Sequence, residues 1–471
     1  MIGVTRRRAV RTLFGAVAAV AVGLTSAVAD AGPPNRSAAG LAPIVFVHGQ
    51  SGSAQQFETQ AMRFTSNGYP QDLLFAFEYD TNGGTNPVAA LDAYLDDVLS
   101  QTGAEKVLAV GHSRGTSVWT QYLEDPAFDG SDKVAKYVNV DGLSPADLPG
   151  GVPTIGIWGE WNTAGSGFNR RGDTDAQIGP NPDDNYYFGT KSHTEVMTSA
   201  EAFALMYEFF TGQPPETTDV VPEPPGQVSV SGRAVIFPEN IGASGSTLEV
   251  WRVESTTGQR VGNRPLFSQP IDESGDFGPV NVNGLKSYEF ALTRTDGSEH
   301  HFYFEPFSRS DHFVRLNTSR PGEGLEVFVP RSVSSSGFVV SRQREFWGDQ
   351  GAASDELLVN GLNILNATTS PRVGVNLAVF GFDAGLDQTT DLTQVPFPFA
   401  LIIFITAADV YVPSDGVGLD SYSVTDVARG SGIATTINVP TWPSTDDRVT
   451  VQFRDDDQEI DRFPGSPARQ R

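Results

Sequence analysis

Apolar positions fall along the chain in two textures. Up to about residue 212, short apolar runs at 44–47, 73–77, 107–110, 134–140 and 154–158 alternate with stretches whose apolar residues recur at the helical period. Two such stretches are 116–123 and 199–210; in the latter Phe203, Leu205, Met206, Phe209 and Phe210 make an apolar face. This alternation predicts a mostly parallel sheet covered by helices, because parallel neighbours need crossovers and crossovers are usually helical. Beyond residue 226 the helical period is lost. Runs at 228–230, 248–253, 288–292 and 302–304 stand between Gly, Ser, Asp and Pro, the pattern of an all-β region, a sandwich or a barrel.

Between the two textures lie Pro214, Pro215, Pro222, Pro224, Pro225 and Gly226, whose fixed proline φ angles favour stiff, extended chain. The expected division is an α/β domain at 42–212, a Pro-rich linker at 213–226, a β-sandwich-like domain at 227–320 and a second β domain at 321–460. The last boundary is the break at Arg320, Pro321, Gly322, Glu323 and Gly324. One larger β domain is the alternative. Residues 397–412 (FPFALIIFITAADVYV) are too short and proline-marked for a spanning helix. They are expected as a buried strand; exposed, they would form a lipid-facing patch.

Arg6, Arg7, Arg8 and Arg11 precede an apolar stretch at 13–28 and the small-residue site Ala29, Asp30, Ala31. Residues 1–31 therefore read as a signal peptide for the Sec or twin-arginine route, and the protein is expected to be secreted. Asp and Glu number 57 against 32 Lys and Arg, a net charge of −25 that deepens to −28 when residues 1–31 are removed. Such a polyanion repels phosphate backbones, so nucleic acid is not an expected partner. The absence of Cys excludes disulfides, thiolate metal sites and a Cys nucleophile. Stability must come from burial.

The strand expected at 107–110 runs into Gly111, His112, Ser113, Arg114 and Gly115, a GxSxG pentapeptide between a strand and a helix. A sharp strand-to-helix turn needs small residues two positions either side of the serine, and the following helix dipole favours negative charge beside Ser113. The strand at 44–47 leads into His48, Gly49 and Gln50, a loop able to present an amide to a tetrahedral oxyanion. Gln50 and Arg114 are the expected oxyanion donors through their main chains. His193 is the one histidine of the first domain beyond the serine and is the expected base; His48 precedes the serine in the wrong chain order and is expected to support its loop. His112 reads as a packing residue. For the acid, Asp141 ends the strand after the nucleophile helix, and Glu160 after 154–158 is the fallback.

At 44–50, 111–115, Asp141 and His193 the chain resembles the secreted lipase/esterase branch of the α/β-hydrolase superfamily, over residues 42–212. The order of a small hydrolase domain and an extensive β region is similar to an archaeal lipase type whose C-terminal β domain binds lipid. Arg114 departs from the pattern, since lipases more often place an uncharged residue after the serine. The resemblance implies a secreted serine carboxylic-ester hydrolase acting through an acyl-enzyme on lipid esters, with contact to a lipid surface and no cofactor. Polyester depolymerisation is a close variant, and a non-catalytic cell-envelope binding protein is the alternative of a different class. As a binding module, the β region is expected to be dispensable for short soluble esters. Phe168, Ile178, Tyr186, Tyr187 and Phe188 are expected to wall the site. A metal at His300, His301 or His312 is not expected, because neighbouring strand residues face opposite ways and no carboxylates stand at ligand spacing around them. Asp455, Asp456 and Asp457 read as a solvated run.

Overall fold

A computed structural model describes residues 40–83, 87–160 and 176–455. The signal peptide at 1–31, Phe168, Asp456 and Asp457 lie outside these residues. The described residues from 41 to 455 belong to one compact unit.

The first half is built on strands β1 (Ile44–Val47), β2 (Leu74–Phe77), β3 (Val107–His112), β4 (Val134–Val140), β5 (Thr154–Trp158) and β6 (Asn185–Tyr187). They form one parallel sheet in the order β2-β1-β3-β4-β5-β6. Helices α1 (Glu58–Ser66), α2 (Val88–Thr102), α3 (Arg114–Glu124), α4 (Gly130–Lys133), α5 (Glu195–Thr198) and α6 (Ala200–Thr211) run between and after the strands. Every residue of β1, β3 and β5 is buried, as a sheet covered on both faces requires. Phe46, Val110, Val138 and Ile157 pack with Phe203 and Met206 on one face; Val45, Ala109, Tyr137 and Trp158 pack with Leu91, Leu95 and Trp119 on the other. Ser199 caps α6 by accepting from the amide of Ala202 at 3.2 Å. The ladders pair Val47 with Gly111, His112 with Val140 and Val140 with Ile157, so the C-terminal ends of four central strands lie side by side. In open parallel sheets this is the edge where sites form.

The second half is all β. One eight-stranded sheet orders Phe267–Pro270, Thr247–Val253, Ser287–Thr293, Glu299–Phe304, Asp447–Gln452, Phe338–Ser341, Ala378–Phe382 and Ile405–Asp409. Asp447–Gln452 pairs in parallel with both Glu299–Phe304 and Phe338–Ser341, so the end of the chain joins strands from either side of residue 320. Smaller sheets close over its two faces around separate apolar cores. The apolar stretch at 397–412 is not one buried strand. It divides into a turn at Phe399–Leu401 and a strand at Ile405–Asp409, and leaves Phe397 and Leu401 each 77% exposed.

The β region is fused to the α/β layer by buried contacts. Phe313 meets Phe46 edge-to-face with ring centroids 6.2 Å apart. Glu78, at the end of β2, receives Arg315 at 2.8 Å and Arg233 at 2.7 Å. Burial opposes its charge, but these guanidiniums and the amide of Ala54 hold its pKa down at about 2. The proline-rich segment is tied down as well: Arg309 donates to the carbonyl of Val221 at 2.7 Å, and Asn67 accepts from the amides of Glu216 and Thr217 at 2.7 and 3.1 Å.

Candidate active site

Ser113 stands between the last residue of β3 and the first of α3 with φ 52 and ψ −120, a conformation that a non-glycine residue adopts only under constraint. The close approach of β1 explains the pentapeptide: a Cβ on Gly115 would lie 2.1 Å from the carbonyl oxygen of Val47. Across the turn, a Cβ on Gly49 would meet the Cβ of Ser113 at 2.9 Å. Gly49 therefore lies against the serine, and Gln50 follows it in the same loop. Among the described residues, no carbonyl accepts from the main-chain N–H of Gln50 or Arg114. Their side chains lead away from the amides: Arg114 Nη1 donates to Gln50 Oε1 at 2.5 Å, and Gln50 Nε2 donates to Asn82 Oδ1 at 2.8 Å.

Asp141 follows β4, buried, with its amide bonded to the carbonyl of Ile157 at 2.8 Å. Its Oδ2 lies 2.8 Å from Nδ1 of His193, and its Oδ1 accepts from the amide of Gly159 at 2.8 Å. The carboxylate is thus fixed from the neighbouring strand end and turned to the imidazole. Glu160, the fallback, is placed elsewhere: its carboxylate pairs with Arg372 of the β region. Burial raises its pKa against the pull of that guanidinium.

The other two histidines of the layer take structural positions. His48 donates from Nδ1 to the carbonyl of Gly49 at 2.8 Å and accepts at Nε2 from the amide of Tyr79 at 3.2 Å, which defines a neutral tautomer. Burial lowers its pKa. The Nε2 of His112 lies 2.9 Å from the carbonyl of His193, and the two rings pack with centroids 4.6 Å apart. Burial, with His193 adjacent, holds the pKa of His112 well below its ordinary value.

Ser113 and His193 line one cavity of about 690 Å³ together with Gln50 and Gly49. Its far wall is made by the β region, with Leu325, Val329, Phe338, Leu377, Phe380 and Phe382 beside the stretch 402–405. Beyond this apolar wall it is lined by His300, Thr318, Glu326 and Arg448. Of the wall expected from the first domain, Phe168 lies outside the described residues, and the other four residues pack elsewhere: Ile178 and Tyr187 into one face of the sheet core, and Tyr186 and Phe188 into the other. Tyr186 and Tyr187 lie in β6 and Phe188 follows it; β6 is an edge strand that composition alone does not separate from a loop.

The histidine loop is held by residues that the sequence does not signal. Glu345 accepts from the amides of Thr194 and Glu195 at 2.7 and 3.2 Å, and from the hydroxyl of Ser192. Arg344 and Arg429 pair with Glu195 at 2.8 and 3.0 Å. Burial opposes ionisation of Glu195, but those two arginines hold its carboxyl well below the usual range. Asn240 donates to the carbonyl of Gly52 at 2.9 Å and so braces the loop of Gln50 from the β region. The only local hint was the charge density of Arg342, Arg344 and Glu345, which would ordinarily read as surface.

His301 is brought together with Glu299 and Asp447, with ligand atoms within 4.8 Å of one another, a grouping invisible in the sequence because 146 residues separate His301 from Asp447. Burial disfavours its charge, yet hydrogen bonds to Asp447 and Glu289 raise its pKa to about 9. Its two nitrogens face Glu289 and Asp447, an ion-pair arrangement for the protonated ring, which stacks on Trp442 at 4.3 Å. His300, on the opposite face, bonds Thr318 and Thr450, and His312 bonds the carbonyl of Leu74 at 2.9 Å. Asp455 is not part of a solvated run: it is buried and accepts from Thr59 Oγ1 at 3.2 Å.

Residues 41–135 match the family model described as Lipase (class 2), and residues 226–321 match the one described as Lipase C-terminal domain. A further C-terminal domain model matches residues 324–457. Among solved structures, a Bacillus licheniformis lipase in its mature form is similar at 15% identity, covering 36% of this chain and 92% of that one with a TM-score of 0.29. A gene product of Listeria innocua is similar at 16% identity, covering 38% of this chain and 97% of that one with a TM-score of 0.28. No helix among the described residues is long and apolar enough to cross a membrane.

Proposed function

We propose that this chain, a lipase-type α/β-hydrolase with a C-terminal β region, is a secreted serine hydrolase that cleaves lipid esters through an acyl-enzyme. The observation that carries the reading is the buried Asp141–His193 pair opening onto the same cavity as Ser113 at its strained turn.

In this reading the Oγ of Ser113 attacks the ester carbonyl while Nε2 of His193 takes its proton. Asp141 keeps a proton on Nδ1, so that Nε2 is free to accept, and stabilises the imidazolium that forms. The amides of Gln50 and Arg114 receive the oxyanion; a preorganised donor of this kind is typically worth about 3 kcal/mol. The alcohol leaves with the proton from His193, and water attacks the acyl-enzyme by the reverse path, releasing the acid and restoring Ser113. The apolar wall from Leu325 to Phe382 and at 402–405 suits an acyl chain. Ile403, 42% exposed, lines the cavity, and the exposed Phe397 and Leu401 shortly before it in the chain are apolar side chains suited to a lipid surface. The basic and apolar segment at 6–28 supports export.

A fluorophosphonate probe tests the reading. It is expected to label Ser113, with labelling abolished in Ser113→Ala and ester turnover reduced on the order of 10⁴-fold in Ser113→Ala and in His193→Ala. An unlabelled wild-type chain would instead be a binding protein on a hydrolase fold.

A further inference from the structure

We propose that Glu345, supplied by the C-terminal β region, is a positioning residue for the hydrolytic site: its carboxylate holds the backbone of the 192–195 loop and thereby the imidazole of His193. This rests on the hydrolase reading and adds to it a residue outside the first domain.

The loop that carries His193 is held at its ring by Asp141 and at its own carbonyl by His112, 2.9 Å away, and the residues on either side of it need acceptors for their backbone amides. The ring anchor is Asp141, on the sheet, 2.8 Å from Nδ1. Around the backbone, three donors point at one acceptor: the amide of Thr194 at 2.7 Å, the amide of Glu195 at 3.2 Å and the hydroxyl of Ser192, all received by the Glu345 carboxylate. They come from positions 192, 194 and 195, on both sides of His193. A carboxylate is the side chain that suits this place. It accepts only, its two oxygens reach separate donors, and a charged acceptor strengthens each bond. Glu345 is fully buried, so no water can replace it without rearrangement.

Glu345 is itself held rigidly. Its main-chain carbonyl accepts from Arg342 Nη2 at 3.0 Å and from Arg429 Nη1. Arg342 is closed off by Asp355 at 2.6 Å and Asp426 at 2.8 Å, both buried. The same network reaches the loop a second time, since Arg344 and Arg429 bind the Glu195 side chain and offset the two adjacent carboxylates. His193 is therefore fixed at its ring by Asp141 and at its carbonyl by His112, while Glu345 of the β region fixes the backbone that follows it. A displacement of about 1 Å at a catalytic group can cost 100-fold in rate, so loss of the backbone anchor acts on turnover rather than on substrate affinity.

The test compares Glu345→Gln, which keeps one acceptor oxygen, with Glu345→Ala, which keeps none. On a short soluble nitrophenyl ester, kcat is expected to fall about tenfold or more in Glu345→Gln and further in Glu345→Ala, with KM within about twofold of wild type. The low-field NMR resonance of the His193 Nδ1 proton should shift or exchange faster in both. A cooperatively melting Glu345→Gln with wild-type kcat and an unmoved resonance overturns the proposal. Should Glu345→Gln not melt cooperatively, Ser192→Ala, which removes one donor, takes its place under the same two criteria. The resonance reads the placement of His193 without turnover, so an inactive, unlabelled wild type overturns the hydrolase reading separately.

Discussion

Asp141 and His193 meet at 2.8 Å across 52 residues of chain, and the second oxygen of the same carboxylate is held at 2.8 Å by the amide of Gly159. The acid is therefore oriented by two neighbouring strand ends, while Glu160, one residue further on, turns to Arg372. Asp141→Asn is expected to lower kcat on the order of 10⁴-fold, because an amide cannot stabilise imidazolium and reverses the hydrogen-bond demand on Nδ1. Glu160→Gln should stay within a few-fold of wild type. Side-by-side kinetics on one soluble ester check this, and a large loss in Glu160→Gln alone would move the role of acid to that residue.

The β region makes the far wall of the cavity and holds both loops that flank the serine, through Asn240 on one and Glu345, Arg344 and Arg429 on the other. A chain ended at residue 212 is therefore expected to lose activity on short soluble esters as well as on emulsified ones. It also exposes Glu78, buried and paired with Arg233 and Arg315, and leaves the apolar contact of Phe46 with Phe313 open. Reading from composition alone, the β half is a separable binding module whose loss spares small substrates. Cooperative melting and turnover of the truncated chain decide between the two: full kcat on a short ester would restore the modular view.

What could be read in advance was what local physics encodes. The parallel sheet, the closing helix and the turn at Ser113 follow from period, capping and glycine spacing, each set within a few residues, and the strands at Ile44–Val47 and Thr154–Trp158 fall where the apolar runs place them. The first domain could also offer Asp141 and His193, because His193 is its one histidine after the serine and Asp141 stands directly at a strand end. The sequence could not show the partners that arrive from beyond residue 220. Glu345, Arg344 and Asn240 look like surface residues in a polar run and become buried only when two layers close on each other. The same long-range closure bears on the expected wall of Phe168, Ile178, Tyr186, Tyr187 and Phe188: the last four had a nearer core to fill, and apolar residues of 325–405 line the cavity from the β region.

Acyl-chain selection should respond to the β region. Ile402 and Leu377 line the cavity from that side, and Ile402→Trp or Leu377→Trp fills part of it without touching Ser113 or His193. Each is expected to lower kcat/KM for long-chain esters by roughly tenfold or more, since each methylene displaced from an apolar pocket is worth about 1–3 kcal/mol. The acetate ester should stay within about twofold. A series of esters from acetate to oleate measures this, and uniform loss along the series would place the acyl chain elsewhere.

Stability should depend on pH through Asp455, whose burial against Thr59 pushes its carboxyl up to about 6 although Arg342 and Thr59 favour the charged form. A carboxyl with a raised pKa binds its proton more readily in the folded chain than in the unfolded one, where it titrates near 3.9. The folded state is therefore favoured below that ordinary value, and this contribution is lost as pH rises towards about 6. Glu58, whose pKa is raised by burial and by the adjacent Asp311, acts in the same direction. Replacing Asp455 by Asn removes one of these dependences while keeping an oxygen for the Thr59 hydroxyl. Between pH 4 and pH 8 the wild type is expected to lose on the order of 3 kcal/mol relative to Asp455→Asn. Urea unfolding of both proteins at the two pH values measures that difference, and because it compares the change within each chain, any constant cost of the amide cancels. Parallel pH dependence in the two chains would mean that Asp455 is charged throughout and that its burial is compensated by the surrounding arginines.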